Sequence, residues 1–354
     1  MRRVVSVLLA ITIGAALTAC GGSGSGTGSA GSSGSADSAS ADAASGKTIT
    51  LKVGDNWGAT HPMAAAMDNV FKKQVEEASG GTIQVDVYHD GLLGDESALW
   101  QGVRDGSIDL AVIGTSMNQE FPMMLISDWP FLYRDLDHAM KVWTGDVADE
   151  VSTAFHEKFP EVEILGWGPN SARTFTSNKP LTCVEDFKGQ KFRMPNNPIH
   201  VGIVENLGAS SQVIPLGELF TALETGTVDG QDNGMVTVIA QNFQEVQSYL
   251  YETNHIIATL EIMVNSDVLA GLSEEQQTII RDAAKAASEQ AWSDYLTSVD
   301  TDRQTLIDAG MTVTACSDEE RAKMIEMIQP TVDTLLEENA DWAPALIEKI
   351  EAVE

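Results

Sequence analysis

Residues 167–195 read WGPNSARTFTSNKPLTCVEDFKGQKFRMP, and residues 213–233 read VIPLGELFTALETGTVDGQDN. In the first piece Phe192 and Met194 alternate with Lys191 and Arg193, the period of two that marks a strand with unlike faces. Pro195 ends it, since proline cannot extend a ladder. Arg173–Thr176 reads as another short strand, Ser211–Ile214 as a third. Glu218–Glu224 is spaced as a helix and stops at Gly226. Strand and helix in turn imply a mainly parallel sheet covered by helices. Arg173 and Arg193 stand near these strands in a chain of formal net charge −31. A guanidinium fixed on a strand offers a planar fork to a carboxylate, so an anion site is expected. The competing reading pairs Arg193 with Asp186 or Asp229 on the surface.

Moving outward, the same alternation continues. Ile49, Leu51 and Val53 read as a strand. His61-Pro62 opens a helical pattern carrying Met63, Met67, Val70 and Phe71, which ends at Gly80-Gly81. Ile83, Val85 and Val87 give a second strand, Leu99 and Val103 a helix ended by Gly106, and Ile108–Ile113 a nearly continuous apolar strand. Glu163–Trp167 reads as a strand, Ile199–Leu207 as a helix and His255–Val264 as apolar and extended. Ser273 followed by Gln276 fits a capping box, with Glu274 and Glu275 suited to the first turn. The helical pattern then runs to about Asp308, roughly 50 Å at 1.5 Å per residue, long enough to brace two lobes. Further helices start near Ser317 and Ala343. About 308 residues follow residue 46, more than one typical core, so two lobes are expected.

The N-terminus reads as a secretion signal: Arg2 and Arg3, then an apolar core Val4–Leu17 shorter than the roughly 20 residues of a membrane-spanning helix. It ends in Leu17-Thr18-Ala19-Cys20, a lipobox, so cleavage before Cys20 and lipidation of its thiol are expected. Residues 20–46, almost only Gly, Ser, Ala and Thr, read as a flexible tether. The folded part is thus expected outside the cytoplasm, held near the membrane by lipid. Cys183 and Cys316 remain, and an extracytoplasmic compartment permits one bridge between them. Residues 1–46 carry no net charge, so the −31 belongs to the folded part. Such a polyanion excludes electrostatic binding to nucleic acid or an anionic membrane. No metal is expected, because no CxxC or Cys/His cluster occurs. No cofactor and no catalysis are expected either: there is no nucleophile elbow and no phosphate loop.

Lys188-Gly189-Gln190-Lys191-Phe192-Arg193-Met194-Pro195, the Gly168–Arg173 strand and the turn Asp229-Gly230-Gln231-Asp232-Asn233 together resemble the solute-binding proteins of tripartite ATP-independent periplasmic (TRAP) transporters, the DctP type. The resemblance covers roughly residues 48–340. It implies an α/β, two-lobed fold of the periplasmic-binding-protein type II, with a hinge cleft and a long helix bracing both lobes. Lobe I is expected to hold 47–170 plus about 261–300, lobe II 171–260 plus about 301–354. The ligand implied is an organic acid. Arg193 would make the carboxylate salt bridge, with Arg173 and Asn233 as further contacts and Gly230 supplying an unusual backbone angle. Leu216 would line the cleft and Glu96 contribute from lobe I. Trp57 and Trp167 offer flat apolar area with one donor and fit either the cleft wall or the core; His61 starts a helix, with its side chain facing the cleft as the further expectation. The partners implied are the small and large TRAP membrane subunits, with the receptor itself a monomer. A receptor for a sensor kinase or another importer class is the alternative. C4-dicarboxylates, 2-oxo acids, uronates and aromatic acids all remain open as ligands.

Overall fold

The structure, a computed structural model, describes residues 48–354. The expected signal segment, Cys20 and the tether lie outside the described residues. Among the described residues no helix is long and apolar enough to cross a membrane.

The chain starts with β1 (Ile49–Gly54), α1 (Pro62–Ala66), a π-helical stretch (Met67–Lys72), α2 (Lys73–Ala78) and β2 (Ile83–Tyr88). α3 (Glu96–Asp105) leads to β3 (Leu110–Ile113), and α4 (Leu136–Trp143) and α5 (Asp146–Lys158) lead to β4 (Val162–Ala172). After Arg173 come β5 (Thr174–Ser177), β6 (Lys191–Met194), α6 (Pro198–Asn206), β7 (Ser210–Val213), α7 (Leu216–Glu224), β8 (Gly230–Asn233), α8 (Met235–Ala240) and β9 (Tyr249–Glu252). β10 (Ile257–Asn265), α9 (Ser266–Ala270), α10 (Glu274–Asp308), β11 (Thr312–Ala315), α11 (Asp318–Glu338) and α12 (Ala343–Glu351) complete it. Two sheets result, ordered β2-β1-β3-β10-β4 and β11-β9-β5-β8-β6-β7.

The first sheet is parallel over β1, β2 and β3, as the strand–helix alternation predicts. β10 then pairs antiparallel with both β3 and β4. Sandwiched between two strands and covered on both faces, it is buried along its whole length, which is why its sequence shows an apolar run instead of alternation. The second sheet is mixed too, with β5 antiparallel to β8 and β9. The capping box of α10 is present as read: Ser273 accepts from Gln276 N and Gln276 reaches back to Ser273 N. Ala283, Ala284, Ala287 and Ala291 lie in the core of the first sheet, whereas Leu306 packs in the core of the second. The single helix therefore spans both lobes.

Two lobe boundaries differ from the sequence reading. All of β10 belongs to the first sheet, so the return crossing precedes residue 257. The C-terminal α12 lies against lobe I, not lobe II. His138 Nε2 meets Ile350 O at 3.0 Å, Lys349 pairs with Glu150 and Trp129 packs edge-on to Trp342. The apolar face of Ala343, Leu346 and Ile350 draws it there.

Gly230 is needed for space, not for an unusual backbone angle, since it is not among the glycines with positive φ. A Cβ at that position would stand 2.1 Å from Thr176 O on the paired strand and 2.7 Å from the Phe192 ring. Gly230→Ala is expected to cost about 2–3 kcal/mol through overpacking and to lower Tm by several degrees. An unchanged melting curve would remove this account.

Candidate functional site

The carboxyl ends of β1, β2 and β3 point at the carboxyl ends of β6 and β8 and the start of β5. Strand ends are where open α/β sheets gather ligands, and a cavity of about 600 Å³ lies between these two rims. From lobe I it is lined by Asn56 and Trp57 after β1, the loop after β2, Glu96 at the start of α3, and Gly114, Thr115 and Ser116 after β3. Lobe II supplies Arg173, Arg193, Asn233 and Leu216.

Arg193 is buried, and among the described residues its side chain makes one hydrogen bond, from Nε to Ile214 O at 2.7 Å. Both terminal nitrogens are left for whatever enters the cleft. Burial, then the neighbouring Arg173, pull its pKa down to about 10, with Glu96 and Asp232 opposing. It remains a cation at neutral pH, short of counter-charge.

Arg173 is placed differently. Its Nε donates to Asp232 Oδ1 at 2.7 Å, and its Nη2 donates to the Asp232 carbonyl and to Asn233 Oδ1. Asn233 is anchored on its other side by Nδ2 to Gln231 Oε1, 2.6 Å. Asp232 Oδ2 sits 2.6 Å from His200 Nδ1 and 3.7 Å from His255 Nε2. Burial pushes the Asp232 carboxyl up, but Arg173 and the two histidines outweigh it and hold the group well below the usual carboxylate range. The second arginine is thus already neutralised and fixed, while the first is not.

Glu96, in the first turn of α3, accepts from Gly114 N at 2.8 Å with Oε1. Burial raises its pKa, with Gly114 and Arg193 opposing. The buried Ser116 Oγ and Asn170 Oδ1, both lining the cavity, have no protein partner. Trp57 forms part of the wall, its backbone held by Asp55 Oδ1 at 3.0 Å.

Six of the eight residues singled out from sequence therefore meet at one cleft: Arg193, Arg173, Asn233, Leu216, Trp57 and Glu96. The other two do not. His61 is fully buried behind the wall, where it caps α1 through Met63 N and donates from Nε2 to Asn170 O at 3.1 Å. Burial pushes its pKa down to about 4, as a neutral structural histidine requires. Trp167 stacks on Trp143 at 4.3 Å, gives its indole N–H to Ser152, and lines a separate groove between α5 and α10. Its position on β4 points it away from the cleft because that face of the strand is covered by α4 and α5. Cys183 and Cys316 are free thiols, Cys316 Sγ accepting from Tyr251 Oη at 3.2 Å. Cys183 does lie beside Glu185 and Glu320, but Lys323 Nζ, 2.7 Å from Glu320, already supplies the cation there.

Sequence reading missed Asp128, Asn197 and His200, which line the back of the cleft. The one signal was His200 as a lone ionisable residue within the apolar run Ile199–Val204.

Residues 53–339 match the model of the family described as DctP, bacterial extracellular solute-binding protein, family 7. The chain is 30% identical over 308 residues to a solute-binding protein of Roseobacter denitrificans, covering 84% of this chain and 93% of that one. It is 32% identical over 223 residues to the 2,3-diketo-L-gulonate-binding periplasmic protein YiaO of Escherichia coli, covering 62% and 67%. Among solved structures, a TRAP periplasmic solute binding protein from Haemophilus influenzae with bound L-gulonate superposes with a TM-score of 0.82 at 27% identity, covering 87% of this chain and 100% of that one.

Proposed function

Because the chain belongs to the DctP family, the bacterial extracellular solute-binding proteins of family 7, we propose that it is the extracytoplasmic receptor of a TRAP importer and that its ligand is a polyhydroxy monocarboxylate of the hexonate or uronate kind. The observation that carries this is Arg193: a buried guanidinium lining the cavity, with both terminal nitrogens free of hydrogen-bond partners among the described residues. Burial strengthens the pull of this guanidinium on a carboxylate, and two parallel hydrogen bonds set its orientation. Arg173 and Asn233, held by Asp232 and Gln231, complete the carboxylate end.

The rest of the cavity favours hydroxyls over a second carboxylate. Asp90, Asp95, Glu96, Asp128 and Glu218 line it together with only two arginines. Carboxylates accept hydrogen bonds from sugar hydroxyls, whereas a second anion would meet like charge. Trp57 and Leu216 give the apolar walls. The relatives with L-gulonate and 2,3-diketo-L-gulonate in their descriptions fit this chemistry. Lipidation at Cys20, the tether of residues 21–46 and a monomeric receptor docking on the two membrane subunits complete the proposal.

A thermal-shift screen tests it. L-gulonate, D-glucuronate, succinate and D-glucose are offered to the protein from residue 46 on, which forms its own compact unit. An acid at about 100 times its Kd adds roughly 2.7 kcal/mol, a shift of several degrees. The sugar acids are expected to shift Tm, glucose not at all and succinate little. Glu96→Gln is expected to narrow the preference over succinate by about tenfold, the equivalent of about 1.4 kcal/mol of relieved repulsion. A shift with glucose alone would refute the reading.

A further inference from the structure

Behind the cleft the two lobes meet through polar side chains. Asp128, at the end of the 3₁₀ turn Pro122–Asp128, belongs to lobe I. Its Oδ2 accepts from Thr115 of the same lobe and, at 2.7 Å, from Asn197 Nδ2 of lobe II. His200, on α6 of lobe II, stands with Nε2 3.5 Å from that same oxygen and Nδ1 2.6 Å from Asp232 Oδ2. Asp232 in turn holds Arg173. Asp128, Asn197, His200 and Asp232 are all buried. A neutral imidazole has one N–H and can serve one carboxylate; an imidazolium has two and serves both. Only the charged ring satisfies the two acids at once.

We propose that His200 is a positioning residue that makes joining the lobes and fixing the guanidinium of Arg173 a single event, because it sits between Asp128 of lobe I and Asp232 of lobe II. With the lobes apart, His200 and Asn197 lose Asp128; the ring then has one carboxylate to serve and no longer needs its charge, so Asp232 keeps the hydrogen bond but faces a neutral imidazole. With the lobes together, both acids are paired and Arg173 is aimed into the cavity. Ligand that draws the lobes together thereby completes its own binding site.

The charged and titratable groups facing the ring are Asp128 from the turn, Asp232 from β8, Arg173 before β5 and His255 before β10. Burial and Arg173 pull the ring down, but the two carboxylates outweigh them and its pKa stands above the usual value. The clasp is therefore present at neutral pH and is lost as pH rises through that raised value.

The test is a double-mutant cycle on His200→Gln and Asp128→Asn, with Asn197→Ala as a variant that opens the same junction and leaves every buried charge in place. The proposal uses the receptor reading only for its ligand readout, with L-gulonate as probe. Each single variant is expected to weaken binding about tenfold or more, and the double variant little further. The loss of wild-type affinity above neutral pH should be absent in His200→Gln. Additive losses with an unchanged pH profile would overturn the clasp. The same cycle on the unfolding midpoint without added acid needs no probe and reads the share of molecules whose lobes are already joined: non-additive shifts support the clasp, and additive shifts there together with additive binding losses overturn it. If L-gulonate and the other acids fail to bind wild type while the midpoints still couple, the receptor reading fails and the clasp stands.

Discussion

Arg193→Ala is expected to reduce affinity for the bound acid by two to three decades or more while leaving the ligand-free protein at least as stable as wild type. The two halves of this result have one cause. Removing one partner of a buried charge pair costs about 3–5 kcal/mol, and in the complex that partner is the ligand's carboxylate. Without ligand there is no partner to lose: Arg193 gives one hydrogen bond to a backbone carbonyl and is pushed by Arg173 beside it. Calorimetric titration and a melting curve on the same sample separate the two. Arg193→Lys keeps the charge but loses the planar fork, so it should fall between wild type and alanine. A lysine variant that bound as tightly as wild type would remove the two-pronged contact from the account, and an alanine variant that melted far below wild type would make Arg193 a structural residue.

Asp232→Asn should behave in the opposite way, damaging the protein before any ligand is added. The carboxylate sits among Arg173, His200 and His255, all buried. Neutralising it strands a buried guanidinium, at about 3–5 kcal/mol, a fall in Tm on the order of 10 °C. Its pH dependence follows from the depressed pKa. A carboxyl held below its unfolded value stabilises fully above that value, and the contribution is lost as pH falls through the folded one. The gap between wild type and Asp232→Asn should therefore be wide at neutral pH and close in acid. His200 runs the other way, its raised pKa giving stability that fades as pH rises through it. Melting curves across the acid range check the first slope. A variant that melts with wild type at pH 7 would mean that the buried charges are balanced elsewhere.

What was legible in the sequence was local. Strand and helix ends carrying Gly, Pro or a capping box were read correctly: Gly106 after α3, Pro195 after β6, Ser273 before α10. The arginine side of the cleft was legible for a related reason: Arg193 and Asn233 sit on the neighbouring strands β6 and β8, and Arg173 directly precedes β5. The rest depends on partners far along the chain. β9 and β11 pair across some sixty residues, and four-residue strands show too little alternation to be seen alone. α4 and α5 follow an apolar and aromatic run with no clear period. Asn197 and Asp128, 69 residues apart, carry no mark of meeting. His61 and Trp167 show the limit of reading by residue type: each was placed in the right region, but period and composition do not say which side of a wall a ring occupies.

The threading of the sheets also bears on how the protein comes to exist. The first sheet is not whole until residues 257–265 insert between β3 and β4, and the second waits for residues 312–315. Neither half can complete its hydrogen-bonded ladder while the last hundred residues are still to come. Pairings between such distant segments form slowly, so closing of both sheets is expected to be the late step of folding, with the edges of β3, β4 and β9 the last to find their partners.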